Sequence, residues 1–290
     1  MKKNSVHNRV SELVVEKALF FSAIIAVLII VLIAIFVILS GWPLLQKVGF
    51  IQFVFGTVWN PTNGIYGIFP MVVGSILVTL GALVIGVPFG IAGAVFLAEI
   101  APKKVAKFIR PAIELLAGIP SVVYGFYGLV VLVPFMRHYT GGSGFSVLAG
   151  SIILAIMILP TILNISENAL KSVPKEFKEG SIALGANHWQ TIKWISLPVA
   201  RSGIVAGVVL GMARAIGETM AVIMVTGNVT RIPGSIFDPI RTLTGNIVME
   251  MGYASGEHQQ ALFATGIILF IFIMLLNLVV QFISKGRCKA

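Results

Sequence analysis

The sequence predicts an all-α, polytopic membrane protein with six transmembrane helices and both termini cytoplasmic. Three observations lead there. Hydrophobic residues make up 57% of the 290 residues and charged residues only 11%, against about 25% charged in an ordinary soluble domain. The mean hydropathy is +0.99, and apolar runs of about 20 residues, the length that crosses a bilayer, recur along the chain. Lysine and arginine, finally, are shared unequally between loops that alternate sides.

The runs are Phe20–Leu39, Phe69–Ala98, Ile113–Met136, Phe145–Leu163, Gly203–Thr226 and Ala261–Ile283. The first is too long and apolar for a signal-peptide core, and Ser40-Gly41-Trp42-Pro43 is a poor cleavage site, so it is expected to stay as a helix. The second contains Pro88, but no polar residue near Gly86–Gly90 offers a turn, so one tilted or kinked helix is expected. With six spans, sixteen Lys and Arg fall on the side of the termini and four on the other (Lys47, Arg137, Arg231 and Arg241), while Arg214 lies within a span. The basic side is the cytoplasmic one. The formal net charge of +10 therefore reads as a topology signal facing anionic lipid, with no need of nucleic acid. The expected organisation is a cytoplasmic segment over 1–19, a membrane domain over 20–283 with its core over about 69–283, an inner loop over 164–202, and a cytoplasmic tail over 284–290. The outer loops Ser40–Ile68 and Gly227–Gln260 have room for short surface helices that touch an external partner.

Several chemistries are excluded. The lone Cys288 allows no intrachain disulfide and no cysteine metal cluster, and His7, His138 and His188 lie in separate loops. Neither Gly86–Gly93 nor Gly141–Gly144 ends in the Lys-Ser/Thr of a phosphate cradle, so uphill transport would draw on a partner or an ion gradient. Gly141-Gly142-Ser143-Gly144 and His258 fall in outer polar segments and read as a turn and a loop residue, without a Ser–His catalytic set.

Two segments carry chemistry. In the inner loop, a polar stretch around Glu179, Gly180 and Ser181 reads as a short helix. Gly185 supplies a left-handed stop. A second short helix with Trp189, Ile192, Trp194 and Ile195 follows, ended by Leu197-Pro198. Periodicity alone favours an interfacial amphipathic loop helix with tryptophan at the headgroups. In the fifth span, Arg214 and Glu218 stand four residues apart. An unpaired charge there costs at least about 2.5–3.5 kcal/mol. The two either pair to fix helix packing, or Arg214 lines a route and attracts an oxyanion, which a forked guanidinium suits. Gly203, Gly207 and Gly211 form a small-residue stripe for close helix approach, within the chain or to a second subunit. Gly118, Pro120 and Gly125 predict a kink in the third span.

The spacing of Glu179, Gly185 and Ile195-x-Leu197-Pro198 resembles the E-A-A-x3-G-x9-I-x-L-P loop signature of ABC importer permeases, with Gly180 and Ser181 in place of the two alanines. In that family the element is a coupling helix that docks into a groove on an ATPase. The strings Ala117–Gly125, Met157–Thr161 and Gly217–Val222 are further similar to the PstC-type permeases of phosphate importers. The resemblance implies a type I (MetI-like) permease fold in a bacterial or archaeal inner membrane and no cofactor in this chain. It implies as partners a PstA-type second permease, a PstB-type ATPase dimer that binds ATP and Mg, and a PstS-type extracytoplasmic phosphate-binding protein. Sulfate and molybdate permeases also carry Arg and Glu here, typically as G-E-F. An ion-coupled secondary anion transporter would leave the Glu179–Pro198 signature without a role.

Overall fold

A computed structural model describes residues 3–285, with side chains described over 15–278. Cys288, the tail from 286 and the side chains before Val15 lie outside those residues. In order, the helices are α1 (Lys3–Val48), α2 (Phe50–Phe55), α3 (Phe69–Val95), α4 (Lys103–Gly118), α5 (Ser121–Tyr127), α6 (Val133–Thr140), α7 (Val147–Lys171), α8 (Lys175–Ala183), α9 (His188–Thr191), α10 (Leu197–Gly217), α11 (Met220–Thr226), α12 (Leu243–Met251) and α13 (Glu257–Lys285). A two-residue-per-strand hairpin, β1 (Trp59–Asn60) and β2 (Ile65–Tyr66), pairs antiparallel between α2 and α3. Among the described residues, six stretches are long and apolar enough to cross a membrane: Val15–Val48, Phe69–Ile100, Ser121–Thr140, Val147–Lys171, His188–Gly217 and Glu257–Leu278.

The centre of the bundle is α7, with Ile153, Leu154, Met157, Ile158 and Ile162 buried. Small residues set its distance from both neighbours. On α3, a Cβ added at Gly81, Gly90 or Gly93 would fall within 2.2 Å, 2.8 Å and 2.7 Å of Ser151, Ile162 and Leu163 of α7. The glycines that fail as a phosphate cradle are thus a packing surface. On α10, the same test at Gly203, Gly207 and Gly211 gives 2.4 Å to Ala169, 3.2 Å to Ile165 and 2.7 Å to Ile162. The stripe faces α7 of its own chain. Pro88 lies inside a continuous α3, which ends in a π-turn over Phe96–Ile100.

The third and fifth spans depart from expectation. Helix α4 ends at Gly118, Ile119 and Pro120 are extended (ψ 128 and ψ 140), and α5 starts afresh at Ser121, a full break where the sequence predicts a kink. The residue before proline is driven out of the helical region by the ring, which explains it. Helix α4 is therefore separate from the membrane-crossing stretch that begins at Ser121. The fifth span starts well before Gly203, at His188, and ends at Gly217. The inner loop is shorter than 164–202, because α7 runs on to Lys171.

On the side opposite the basic loops, α2, the hairpin, α12 and the ends of α1, α3 and α13 bury Phe53, Ile68, Met71, Leu243 and Leu262. Glu250 is the polar centre of this cap. Its carboxylate accepts from Trp59 Nε1 at 2.9 Å, pairs with His258 Nε2 at 2.7 Å and is bridged by Arg241. Burial, then the Glu257 carboxylate, push the Tyr66 phenol in the same cap above its ordinary 10.0. By contrast, nearly all of α1 from Val15 to Leu39 is exposed, and α1 approaches α13 closely near Gly41, where a Cβ would lie 2.6 Å from Ala264 N.

Candidate functional site

The polar element of the inner loop is built from local hydrogen bonds. Helix α8 ends at Gly185, whose φ of +89° only glycine adopts without strain. Gly185 N–H donates to Ile182 C=O at 2.9 Å and Ala186 N–H to Ser181 C=O at 3.1 Å, the paired bonds of a Schellman stop. Two residues on, Asn187 and Gln190 cap α9 reciprocally, each side-chain oxygen accepting the other's backbone N–H at 2.8 Å. The Ser181 and Thr191 hydroxyls meet at 3.2 Å and pin the two helices together. Pro198 does not stop the second helix. A π-turn over Ile192–Ser196, closed by Leu197 N–H on Ile192 C=O, precedes it and places it in the first turn of α10, where a missing donor leaves nothing unpaired. The helix from α9 thus runs through Ile195, Leu197 and Pro198 into the fifth span.

Glu179 and Gly180 are exposed on α8, and so are Phe177, Ile182, Leu184 (92%) and Trp189 around them. No Cβ contact within 4 Å would form at Gly180. Besides the continuation of α9 into the fifth span, polar contacts at Glu99 fasten the element to the inner end of α3. The buried Glu99 carboxylate pairs with Lys178 Nζ of α8 at 2.8 Å, and the Glu99 backbone C=O meets His188 Nε2 of α9 at 3.1 Å.

Arg214 and Glu218 do not pair. Helix α10 ends at Gly217 and Glu218 is extended (ψ 132), so the helical four-residue geometry that would bring them together is lost. Glu218 Oε1 accepts instead from Ala221 N–H at 3.1 Å, capping α11, and its backbone C=O accepts from Thr244 Oγ1 of α12 at 3.2 Å. Arg214, in the last turn of α10, donates from Nη1 to Thr161 Oγ1 of α7 at 3.2 Å. No carboxylate lies within 4.0 Å of Arg214 among the described residues. The two broken spans meet each other: a Cβ at Gly125 of α5 would lie 2.8 Å from Ala221 Cα of α11, and one at Gly128 would lie 2.6 Å from Val225. Tyr124 of α5 donates to Leu116 C=O at 2.7 Å across its own break, and the same carbonyl accepts the Ile119 N–H at 3.3 Å, so the end of α4 is closed from both sides of the break. A Cβ at Gly118 would meet nothing within 4 Å, so this glycine contributes to the break by ending α4 and not by close packing.

The family model described as "Binding-protein-dependent transport system inner membrane component" matches residues 86–287. This chain belongs to that family. Among similar curated proteins, the probable ABC transporter permease protein YqgH of Bacillus subtilis (strain 168) is 47% identical over 250 residues, 84% of this chain and 81% of that one. The phosphate transport system permease protein PstC of Mesorhizobium japonicum is 36% identical over 281 residues, 89% of this chain and 86% of that one. Among solved structures, a chain of a bacterial ABC transporter importing the acidic polysaccharide alginate aligns with TM-score 0.60 at 17% identity, covering 89% of this chain and 96% of that one. A chain of the inward-facing MetNI methionine ABC transporter aligns with TM-score 0.58 at 22% identity, covering 79% and 99%. The fold is that of type I ABC importer permeases.

Discontinuous membrane helices recur in secondary transporters, where the interrupted backbone lines the binding site. The strings Ala117–Gly125 and Gly217–Val222 are the two breaks and the close contact between them. Three features escaped the sequence reading. The Asn187-x-x-Gln190 capping box was legible in the spacing. Thr161 as the partner of Arg214, and Glu99 as the anchor of the inner element, come from distant segments and had no local signal.

Proposed function

We propose that this chain is a transmembrane permease subunit of an ATP-driven importer for inorganic phosphate and forms half of its translocation route. The observation that carries the reading is Arg214, a guanidinium at a break between helices, held by one hydroxyl and unmatched by any carboxylate within 4.0 Å among the described residues. Its remaining donors are free to meet a tetrahedral oxyanion. One arginine is too little for a full oxyanion cage, so the route guides phosphate and the external binding protein selects it. Glu218 shapes the route by capping α11 beside Arg214. The similarity to phosphate permeases along most of the chain supports the choice of substrate.

The exposed element around Glu179, Gly180, Ser181 and Gly185, continued through Ile195, Leu197 and Pro198, is the surface for a cytoplasmic ATPase of PstB type. That partner binds ATP and Mg and performs the hydrolysis; this chain binds no cofactor and no nucleic acid. A PstA-type permease completes the route, and a PstS-type protein delivers phosphate from outside a bacterial or archaeal cytoplasmic membrane. Closure of the ATPase dimer draws the two coupling elements together and turns the route from one side to the other.

The test is ATP-dependent phosphate uptake by the whole assembly in proteoliposomes, with sulfate and arsenate as competitors. Uptake blocked by phosphate and arsenate but not by sulfate is expected. Preference for sulfate overturns the substrate, and uptake that persists without the ATPase overturns the ATP-driven reading.

A further inference from the structure

Helix α4 divides its surface three ways. Ala106 and Ile113 are buried against the bundle. Phe108 (82% exposed), Leu115 (73%) and Val105 (38%) point away from it. Lys103, Lys107, Arg110 and Glu114, at spacings of four, three and four, share the third face. That third face closes a cavity of about 720 Å³ against the inner end of α3 and against Lys171 of α7, with Leu97, Ala98 and Ala101 among its apolar lining.

The charges around this cavity are unequal. Glu167 of α7, buried with its side chain 4% exposed, holds Arg110 Nη2 at 2.7 Å and Lys171 Nζ at 2.6 Å. One carboxylate thereby anchors two cations. Lys103 and Lys107 have no carboxylate within 4.0 Å among the described residues. Counting the lining Glu114, four cations face two carboxylates, one of which lies behind the cations as their support. The position is the basic side of the chain, at the inner ends of α3 and α7.

We propose that this cavity binds the phosphodiester headgroup of an anionic phospholipid of the inner leaflet, with Lys103 and Lys107 as the primary contacts and Arg110 and Lys171 as a fixed second pair. A cationic pocket between spans on the cytoplasmic side has the right sign and depth for such a headgroup. The exposed Phe108 and Leu115 decide between a lipid and a soluble anion. An amphipathic helix carrying cations on one face and bare apolar side chains on the next lies in the interface, with the apolar face among acyl chains. A free anion uses only the cations, whereas a phospholipid uses both faces. The site requires only that the chain sits in a membrane with its basic side inward, and stands whether or not the cargo is phosphate.

The full chain, purified in neutral detergent and exposed to equal amounts of phosphatidylglycerol and phosphatidylcholine, is measured by native mass spectrometry for the lipid it retains. Wild type should retain phosphatidylglycerol preferentially. Lys103→Gln with Lys107→Gln should lower that preference roughly 30-fold, the expectation for two lysines at an anionic surface. Lys104→Gln is the control, being on the same helix but outside the cavity lining, and should change the preference much less. An equal loss in the control and the double variant would mean diffuse surface charge and overturn the site. Displacement of phosphatidylglycerol by inorganic phosphate alone would mean a free-anion site and overturn the lipid assignment.

Discussion

Around Gly185, the hydrogen bonds that end one helix and start the next lie within Gly180–Thr191. At Glu218 the helix also ends, but one partner there, Thr244, comes from α12, 26 residues along the chain. The first interruption is exposed and capped by its own sequence. The second is half-buried and owes its shape to α5, α7 and α12 packed around it. On the proposed function, a surface that presents one fixed form to a soluble partner is well served by local capping. On the same proposal, a break that admits a charged ion and then closes is better served by contacts that other helices can shift.

The largest effects should come from removing the one feature each region cannot replace. Gly185→Val places a β-branched residue at φ +89°, a conformation that costs L-residues about 1–2 kcal/mol even before branching. The Schellman stop should fail. Uptake and ATPase co-purification should both vanish while membrane insertion persists, as measured by normalising each to inserted protein. Gly185→Asn, which tolerates the left-handed region, should recover part of both. Arg214→Gln should abolish uptake and leave ATPase co-purification intact, and that split separates the two regions. Normal uptake by Arg214→Gln would assign the guanidinium to packing.

Next in size is the joint between the element and the bundle. Lys178→Met leaves the Glu99 carboxylate, only 6% exposed, without its ion partner. Breaking a buried pair from one side costs about 3 kcal/mol. Transport per ATP hydrolysed should fall several-fold, because the element no longer moves with α3. The exchanged pair Glu99→Lys with Lys178→Glu should restore much of it. Failure of the exchange alongside a normal Lys178→Met would remove Glu99 from the coupling route.

This contrast also explains what the sequence made legible. Six spans, the helix-stopping role of Gly185 and the small-residue stripe on α10 all follow from periodicity and residue type. The stripe's partner does not: Gly203, Gly207 and Gly211 would serve any neighbour, and only the fold assigns them to α7. The pairing of Arg214 with Glu218 assumed an uninterrupted helix, and Thr219 gives no local warning of a break. Pro120 did warn of one, but proline signals a kink and a full break alike until Tyr124 is seen satisfying Leu116. Pro198 misled in the other direction, because the π-turn before it absorbs the ring.

Smaller effects sharpen the assignment of Glu218. Glu218→Gln keeps a side-chain oxygen for Ala221 N–H and should retain most uptake. Glu218→Ala removes the cap, a loss of about 1 kcal/mol, and should lower both thermal stability and uptake. If Glu218→Gln proves as damaging as Arg214→Gln, the negative charge itself belongs to the transport step, and the cap is incidental.

The smallest effect concerns two glycines that look alike in sequence. Gly203→Ala would drive a Cβ to 2.4 Å from the Ala169 Cβ, and overpacking of that kind costs about 1–3 kcal/mol. Gly180→Ala meets nothing within 4 Å and replaces the weakest non-proline helix former by the strongest, a gain of up to about 1 kcal/mol in α8. It also restores the first alanine of the loop signature that this chain resembles. Gly180→Ala should therefore raise the melting temperature of the isolated chain slightly and leave uptake by the assembly unchanged or improved. A stabilised chain that nevertheless binds the ATPase more weakly would show that the partner's surface approaches Gly180 too closely to admit a methyl group.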